Sequence, residues 1–448
     1  MASYLVTSPN TLTNGTDGND VFEISNGLGT TVYGSDGDDK ISASAINGTN
    51  AIFNGGQGAD TINLDSADFT VGKIAAGGGA DVISAASASF NSTTLHGGGG
   101  ADTINFGSAV ATSTTINGNG GHDYITASSL SLVTSFLGLG GGNDSITFSA
   151  AVVTDSKVAG GGGNDSVVLT VGAASAGHWE GDTLTDTVYY GNDTIRIGGA
   201  LTDNNTIQGG GGADRITATA TFSDANFFNG NAGKDTIFVG TVSGSSNTIG
   251  GGAGADVISV RSGATGSAAY IFGGGGSDSI TVTALAALDA VAFDIDGGLG
   301  RDTISLGIDT GVGRLAYTSF ANSTLTDGAF DVVSAIVSGN SAFMVTQSVV
   351  SANFAAATIA GGMSIGAAGT ASAWSAGVNN VTSRATELDA ALAVGSVVMF
   401  ADNGATDYIW IQGGAAGGGI GDDLLIEVNT GMSAIDIGGG TALVVNTL

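Results

Sequence analysis

The chain has 448 residues, among them 79 Gly, 1 Pro and no Cys, and its 40 acidic against 10 basic residues give a formal charge of -30. That balance excludes a nucleic-acid binder, which needs a basic patch to neutralise phosphates. The missing cysteine removes disulfides, thiolate metal sites and cysteine nucleophiles together. A hydrophobic content of 42% argues against disorder despite the glycine.

The first segment, MASYLVTSPNTLTNG, lacks the basic n-region and apolar h-region of a cleavable signal peptide. No apolar stretch approaches the roughly 18 to 20 residues that cross a bilayer, so no membrane span is expected. An aspartate then recurs at the end of successive glycine-rich turns. Asp20 opens the series and Asp39 follows after a slightly short step. A constant 21-residue step then runs through Asp60, Asp81, Asp102, Asp123, Asp144 and Asp165. The same step links Asp193, Asp214, Asp235 and Asp256, and it widens to Asp278 and Asp302. A fixed period of this size means one supersecondary unit stacked many times.

Alignment on the aspartates shows which side chains face inward. Two residues on lies an aliphatic ladder that includes Ile62, Ile83, Ile104, Ile125 and Ile146. Four residues on lie Leu64, Phe106, Phe148, Leu169 and Leu306, and seven residues before lie Val32, Phe53, Ile74, Leu95 and Ile116. The period-2 spacing after the aspartate predicts a strand with one buried face. Each unit reads as strand, turn, strand, glycine-rich turn. The expected fold is all-β, a parallel β-roll or β-solenoid of 21-residue coils whose two sheets face each other across a thin core. Outward positions are mostly Thr, Ser and Asn, as suits a solvated pleated face, with Val82, Tyr124, Arg215 and Phe238 interrupting them.

A turn of residues in mixed left- and right-handed conformations needs glycine, the residue that reaches φ > 0 without strain. Such a turn aims several carbonyls at one point, and the aspartate adds the charge. Calcium takes 6–8 oxygen ligands of this kind in tolerant geometry. A column of carboxylates about 4.8 Å apart would otherwise repel itself. The candidate metal ligands are therefore the fourteen aspartates from Asp20 to Asp302, with Ca2+ as the cofactor. One break interrupts them. Asp186 keeps the regular step after Asp165, but its turn, EGDTLTD (180–186), lacks the glycines, and Asp193 soon resets the frame.

At GGQGADTIN (55–63), GGGGADTIN (97–105) and GGGGADRIT (209–217) the chain resembles the RTX repeat family, whose nonapeptide is G-G-x-G-x-D-x-U-x. The resemblance covers about residues 14 to 306. It implies a calcium-bound parallel β-roll, exported by a type I system through an uncleaved C-terminal signal, and hence an extracellular or cell-surface location. The family usually carries two nonapeptides per coil. Here one nonapeptide alternates with a longer stretch of other residues, such as DSADFTVGKIAA (65–76), so one edge should hold calcium and the other should not.

The period stops near residue 310, which divides the chain into a calcium-binding roll (1–310) and a smaller, mainly β module (311–448) for capping, secretion or assembly. In that module the pattern predicts a helix over Ser383–Val394 ended by Gly395, and strands at SVVMFAD, TDYIWIQ and DDLLIEV. An enzyme is not expected. No H-E-x-x-H exists, the histidines are His96, His122 and His178, and the G-x-S-x-G around Ser364 has no histidine after it. His96 and His122, within or beside repeat turns, read as turn-filling residues. The expected function is a secreted structural protein that folds on calcium and polymerises with itself into a surface layer or fibre. The alternative is a calcium-dependent adhesin or ice-binding rod using the Thr/Ser/Asn face, and a cell-surface glycan stays open as a partner.

Overall fold

The structure, a computed structural model, describes residues 1–182, 191–262, 268–284, 292–307, 312–317, 331–334, 342–347, 364–365, 370–373, 380–392, 396–401, 407–412, 424–429, 432–438 and 442–447. The chain forms two compact units, Met1–Ala220 with Asn226–Ala232, and Thr221–Ala225 with Gly233–Leu448.

The first unit is a parallel β-solenoid. A representative coil has strands at Thr61–Asn63, Asp68–Thr70 and Lys73–Gly78. Each pairs in parallel with its counterpart one period on: Ile62 with Ile83, Phe69 with Phe90, Ile74 with Leu95. The first two strands belong to one sheet and the third to the facing sheet. Later coils fuse the first two into ten-residue strands, Tyr124–Val133, Ser145–Thr154 and Ser166–Ser175.

The ladders two and four residues after the aspartate, and the one seven before it, are buried as expected, Ile62, Leu64 and Phe53 among them. The side chain of Leu306 lies outside the described residues. The coil has one strand more than the sequence predicts. Its inward rank of Phe69, Phe90, Ala111, Leu132 and Val153 is buried as a further core ladder. Phe69 stacks on Phe90 at 5.7 Å, and Phe53 and Phe106 pack edge-on at the two ends of that pair.

The turn that leads into the third strand places a non-glycine residue in the left-handed region coil after coil: Val71 (φ 57°), Ser92 (50°), Ser113 (50°), Thr134 (50°) and Asp155 (46°). Beside it runs a buried polar rank. The N–H of Thr114 donates to Ser135 Oγ at 3.1 Å, that of Ser135 to Ser156 Oγ at 2.9 Å, and that of Gly177 to Asn205 Oδ1 at 2.9 Å. The hydroxyls donate in turn to main-chain carbonyls, Thr114 to Thr112 and Ser156 to Thr154. This corner of the coil satisfies its buried polar groups internally.

In the second unit the same stacking runs through Val257–Ser262, Ser279–Ala284 and Thr303–Gly307. It outlasts the sequence period: Thr303 pairs with Val332, and Arg314 with Met344, both in parallel. Further strands then extend both sheets, and antiparallel pairing enters them. Leu424–Asn429 pairs in parallel with Asp331–Ser334 and antiparallel with Asp407–Ile411, and Ala442–Thr447 lies antiparallel to Ala342–Gln347.

The helix runs Val381–Ala391, not Ser383–Val394. Asn380 caps it early through a capping box with Ser383, and the chain leaves it at Leu392 in extended conformation, so Leu392 rather than Gly395 is the C-cap. Ala385 and Leu388 pack on Val398, Phe400, Tyr408, Trp410 and Leu425. Among the described residues no helix is long and apolar enough to cross a membrane.

Candidate metal centre

Each repeat aspartate stands at the corner where the glycine-rich strand turns into the next, with its carboxyl inside the coil. All fourteen predicted aspartates are buried. They form a ladder in which the N–H of one donates to Oδ1 of the next: Asp39 to Asp60 at 2.7 Å, Asp81 to Asp102 at 2.9 Å, Asp123 to Asp144 at 2.6 Å. The second unit repeats it, Asp256 to Asp278 at 2.8 Å and Asp278 to Asp302 at 2.8 Å.

Glycine makes room for this ladder. The residue five before the aspartate faces inward, and a Cβ there would land on the carboxylate. Gly34 meets Asp39 Oδ2 in this way, Gly97 meets Asp102 Oδ2, Gly118 meets Asp123 Oδ2, and Gly273 meets Asp278 Oδ2. The same space is lined by a main-chain carbonyl of the following coil: Gly55 O beside Asp39, Gly118 O beside Asp102, Leu139 O beside Asp123, Gly297 O beside Asp278. Ala76 and Leu139 stand where the other coils have this glycine, so the turns of Asp81 and Asp144 carry an aliphatic side chain there.

The Oδ2 atoms of Asp39, Asp60, Asp81, Asp102, Asp123, Asp144, Asp165, Asp193, Asp256 and Asp278 are buried without a hydrogen-bond donor. Burial pushes the Asp60, Asp144 and Asp278 carboxyls up to about 6 and Asp102 to about 7. It pushes Asp165 to about 8 and Asp193 to about 9. Asp39, Asp81, Asp123 and Asp256 are raised for the same reason. An acceptor-only oxygen in this setting lacks either a proton or a cation.

A hard cation fits this donor set of carboxylate and carbonyl oxygens. Among the described residues, no three acidic or histidine side chains converge as a self-sufficient metal cluster, so carbonyls would have to complete any site. Asp20 differs from the others. Its Oδ2 accepts from Thr16 N at 2.7 Å and Thr16 Oγ1 at 2.9 Å, and the Thr16 N–H is the main cause of its lowered pKa.

The structure also brings in residues the sequence reading missed. Asp331 is buried and its Oδ1 accepts from Asp302 N at 3.0 Å. The sequence before it has no G-G-x-G, and what marks it is Val333 two residues on, which pairs with Ile304. Asp186 lies outside the described residues, but Asp182 in the same break is buried, and its Oδ2 accepts from Gly191 N at 3.2 Å and Gly211 N at 3.0 Å. Of the charges around Asp193, that of Asp182 raises it most. On the outer face nearby, Glu180 is 2% exposed between Lys157 Nζ at 2.6 Å and His178 Nε2 at 2.7 Å. Its carboxylate raises the His178 pKa. His122 Nδ1 accepts the Asn143 N–H at 2.8 Å and so bridges two turns, as a turn-filling residue would.

No protein-family model matches the chain, and no curated protein sequence matches it. Among solved structures, the chain is similar to a hyperactive, Ca2+-dependent, β-helical antifreeze protein from an Antarctic bacterium, with 18% identity and a TM-score of 0.37 over 76% of this chain and 85% of that one. A likeness this distant carries no argument about what the present chain binds.

Proposed function

We propose that the chain is a calcium-dependent extracellular structural protein of RTX type, whose copies associate into a surface layer or fibre. The supporting observation is the column of buried carboxylate oxygens that have no donor and share their space with main-chain carbonyls. The opposite corner of the coil has its hydroxyl and amide groups paired within the chain, which supports calcium on one edge only. The aspartates from Asp39 to Asp302 would hold the ions with carbonyls of their turns. Bound calcium would supply the positive charge that lets these carboxylates be buried ionised. Binding energy at sites absent from the unfolded chain becomes folding energy.

Association would use the first coil. There Ser3–Val6 pairs with Val21–Ile24, and Leu12–Asn14 with strand Thr31–Asp36. Leu5 and Leu12 on these strands are 73% and 64% exposed. Contact of this apolar patch with a different surface of the next copy is heterologous and propagates. The test is circular dichroism with sedimentation, in chelator and in millimolar calcium. Calcium-dependent β signal and calcium-dependent large species are expected. A spectrum indifferent to chelator would overturn the calcium reading, and a calcium-loaded monomer at high concentration would overturn the assembly reading.

The adhesin or ice-binding alternative gains no support from the outer face. One rank of it reads Thr61, Val82, Thr103, Tyr124, Ser145 in register, with Val82 and Tyr124 each nearly half exposed.

A further inference from the structure

Between Asp165 and Asp193 the chain takes a longer step than in the regular coils. In that coil strand His178–Asp182 pairs with Lys157–Gly162, which sets Asp182 opposite Gly161. At the equivalent position Gly56, Gly77, Gly98, Gly140, Gly161 and Gly210 have φ between 101° and 125°, and Ser35, Asn119 and Asn231 hold it at φ 87°, 77° and 74°. The break thus exchanges an uncharged left-handed residue, most often glycine, for a carboxylate.

We infer that Asp182 builds a cation site found only in this coil, with Asp193 as its second carboxylate and the Gly209 carbonyl beside them. The inference rests on the calcium reading above. Two placements carry it. Asp193 Oδ2 lies against Gly181, the chain neighbour of Asp182, in the space that Gly209 O also lines. Asp182 Oδ2 in turn holds the N–H of Gly191, two residues before Asp193. Each carboxylate therefore lies against a residue adjoining the other. Asp182 is 2% exposed, its Oδ1 has no hydrogen-bond partner, and neither does Asp193 Oδ2. No Lys or Arg forms an ion pair with either among the described residues.

A purely structural Asp182 would need only Oδ2, to accept from Gly191 and Gly211. The second buried oxygen is what a cation explains. Regular turns offer one aspartate with carbonyls, and here a further carboxylate joins without added positive charge. Affinity for calcium rises with ligand charge, so this site should be the tightest of the chain.

The break carries its own reporter. Trp179 is fully buried three residues before Asp182 on the same strand. Terbium, a hard trivalent stand-in for calcium, should bind the wild-type chain with an early phase of tryptophan-excited luminescence that calcium competes away and Trp179→Phe removes. Asp182→Asn keeps an oxygen for the two N–H groups but drops the charge. It should weaken that phase on the order of tenfold while later sites fill normally. If Asp182→Asn loses β structure, Asp182→Gly, which restores the commonest residue of the regular coils, is titrated in its place and is expected to behave alike. A folded variant with an unchanged early phase would overturn this inference and leave the calcium reading intact. A wild-type chain that takes up neither calcium nor terbium would overturn both.

Discussion

Gly97 faces Asp102 across the inside of its coil so closely that a methyl group on Gly97 would fall on the Asp102 carboxylate. The neighbouring glycines are held for other reasons. Gly98 has φ 125° and abuts the carbonyl of Gly77, whereas at Gly99 a Cβ would meet nothing within 4 Å. Three alanine substitutions in a row should therefore differ. Gly98→Ala should cost roughly 1–3 kcal/mol, and Gly97→Ala should weaken calcium binding by displacing Asp102. Gly99→Ala should stabilise by about 0.5 kcal/mol by stiffening the unfolded chain. Urea unfolding in calcium, with a calcium titration of each variant, checks all three.

Asp102→Asn should separate the cost of the buried charge from its use. In chelator at pH 8 the amide removes an unpaired carboxylate from the interior and can donate to the carbonyl of Gly118. The metal-free protein should then gain roughly 1–3 kcal/mol. In calcium the same variant should bind fewer ions and lose its advantage. Thermal melts in both buffers decide it, and lower stability of the variant in chelator would contradict the account.

The pH dependence without metal follows from the raised carboxyls. Their folded-state pKa values, about 6 for Asp60, about 7 for Asp102, about 8 for Asp165 and about 9 for Asp193, lie above the ordinary value of 3.8. The folded state holds protons that the unfolded chain has released. Their contribution is complete below the unfolded value and is lost as pH rises through about 6 to 9. The chelated protein should melt at a higher temperature at pH 5 than at pH 8.5. Calcium should reverse that order, because its affinity rises as the same oxygens ionise.

Val71 should be improvable. It is a β-branched residue at φ 57° on a half-exposed turn, a conformation that is costly for such a side chain. Val71→Asn should stabilise by roughly 1 kcal/mol, since asparagine visits the left-handed region readily. The same change at Ser92 should gain less, because no β-branch is removed there. Paired denaturant midpoints test the difference.

The aspartate column and the ladders of Ile62 and Phe53 were legible because one residue type recurs at one spacing. The rank of Phe69, Phe90, Ala111 and Leu132 was not, because any apolar residue satisfies it and its strand is three residues long in several coils. The buried rank of Thr114, Ser135, Ser156 and Asn205 was hidden more thoroughly. Hydroxyls and amides read as solvated, and what they share is only the ability to accept one N–H. Asp182 and Glu180 have no periodic partner at all, and burial of a lone charge leaves no trace in sequence. The helix start was missed because Asn380 caps it, so that it begins at Val381, two residues before Ser383.

The rungs of the aspartate ladder keep their length however much chain runs between them. The N–H to Oδ1 distance is 2.7 Å over 21 residues from Asp39 to Asp60, 2.7 Å over 28 from Asp165 to Asp193, and 3.0 Å over 29 from Asp302 to Asp331. A coil can thus lengthen by several residues while its contact with the next is preserved. Descendants of such a gene could gain or trade segments one turn at a time, each new stretch tolerated where it arises, without any matching change in the coils above and below.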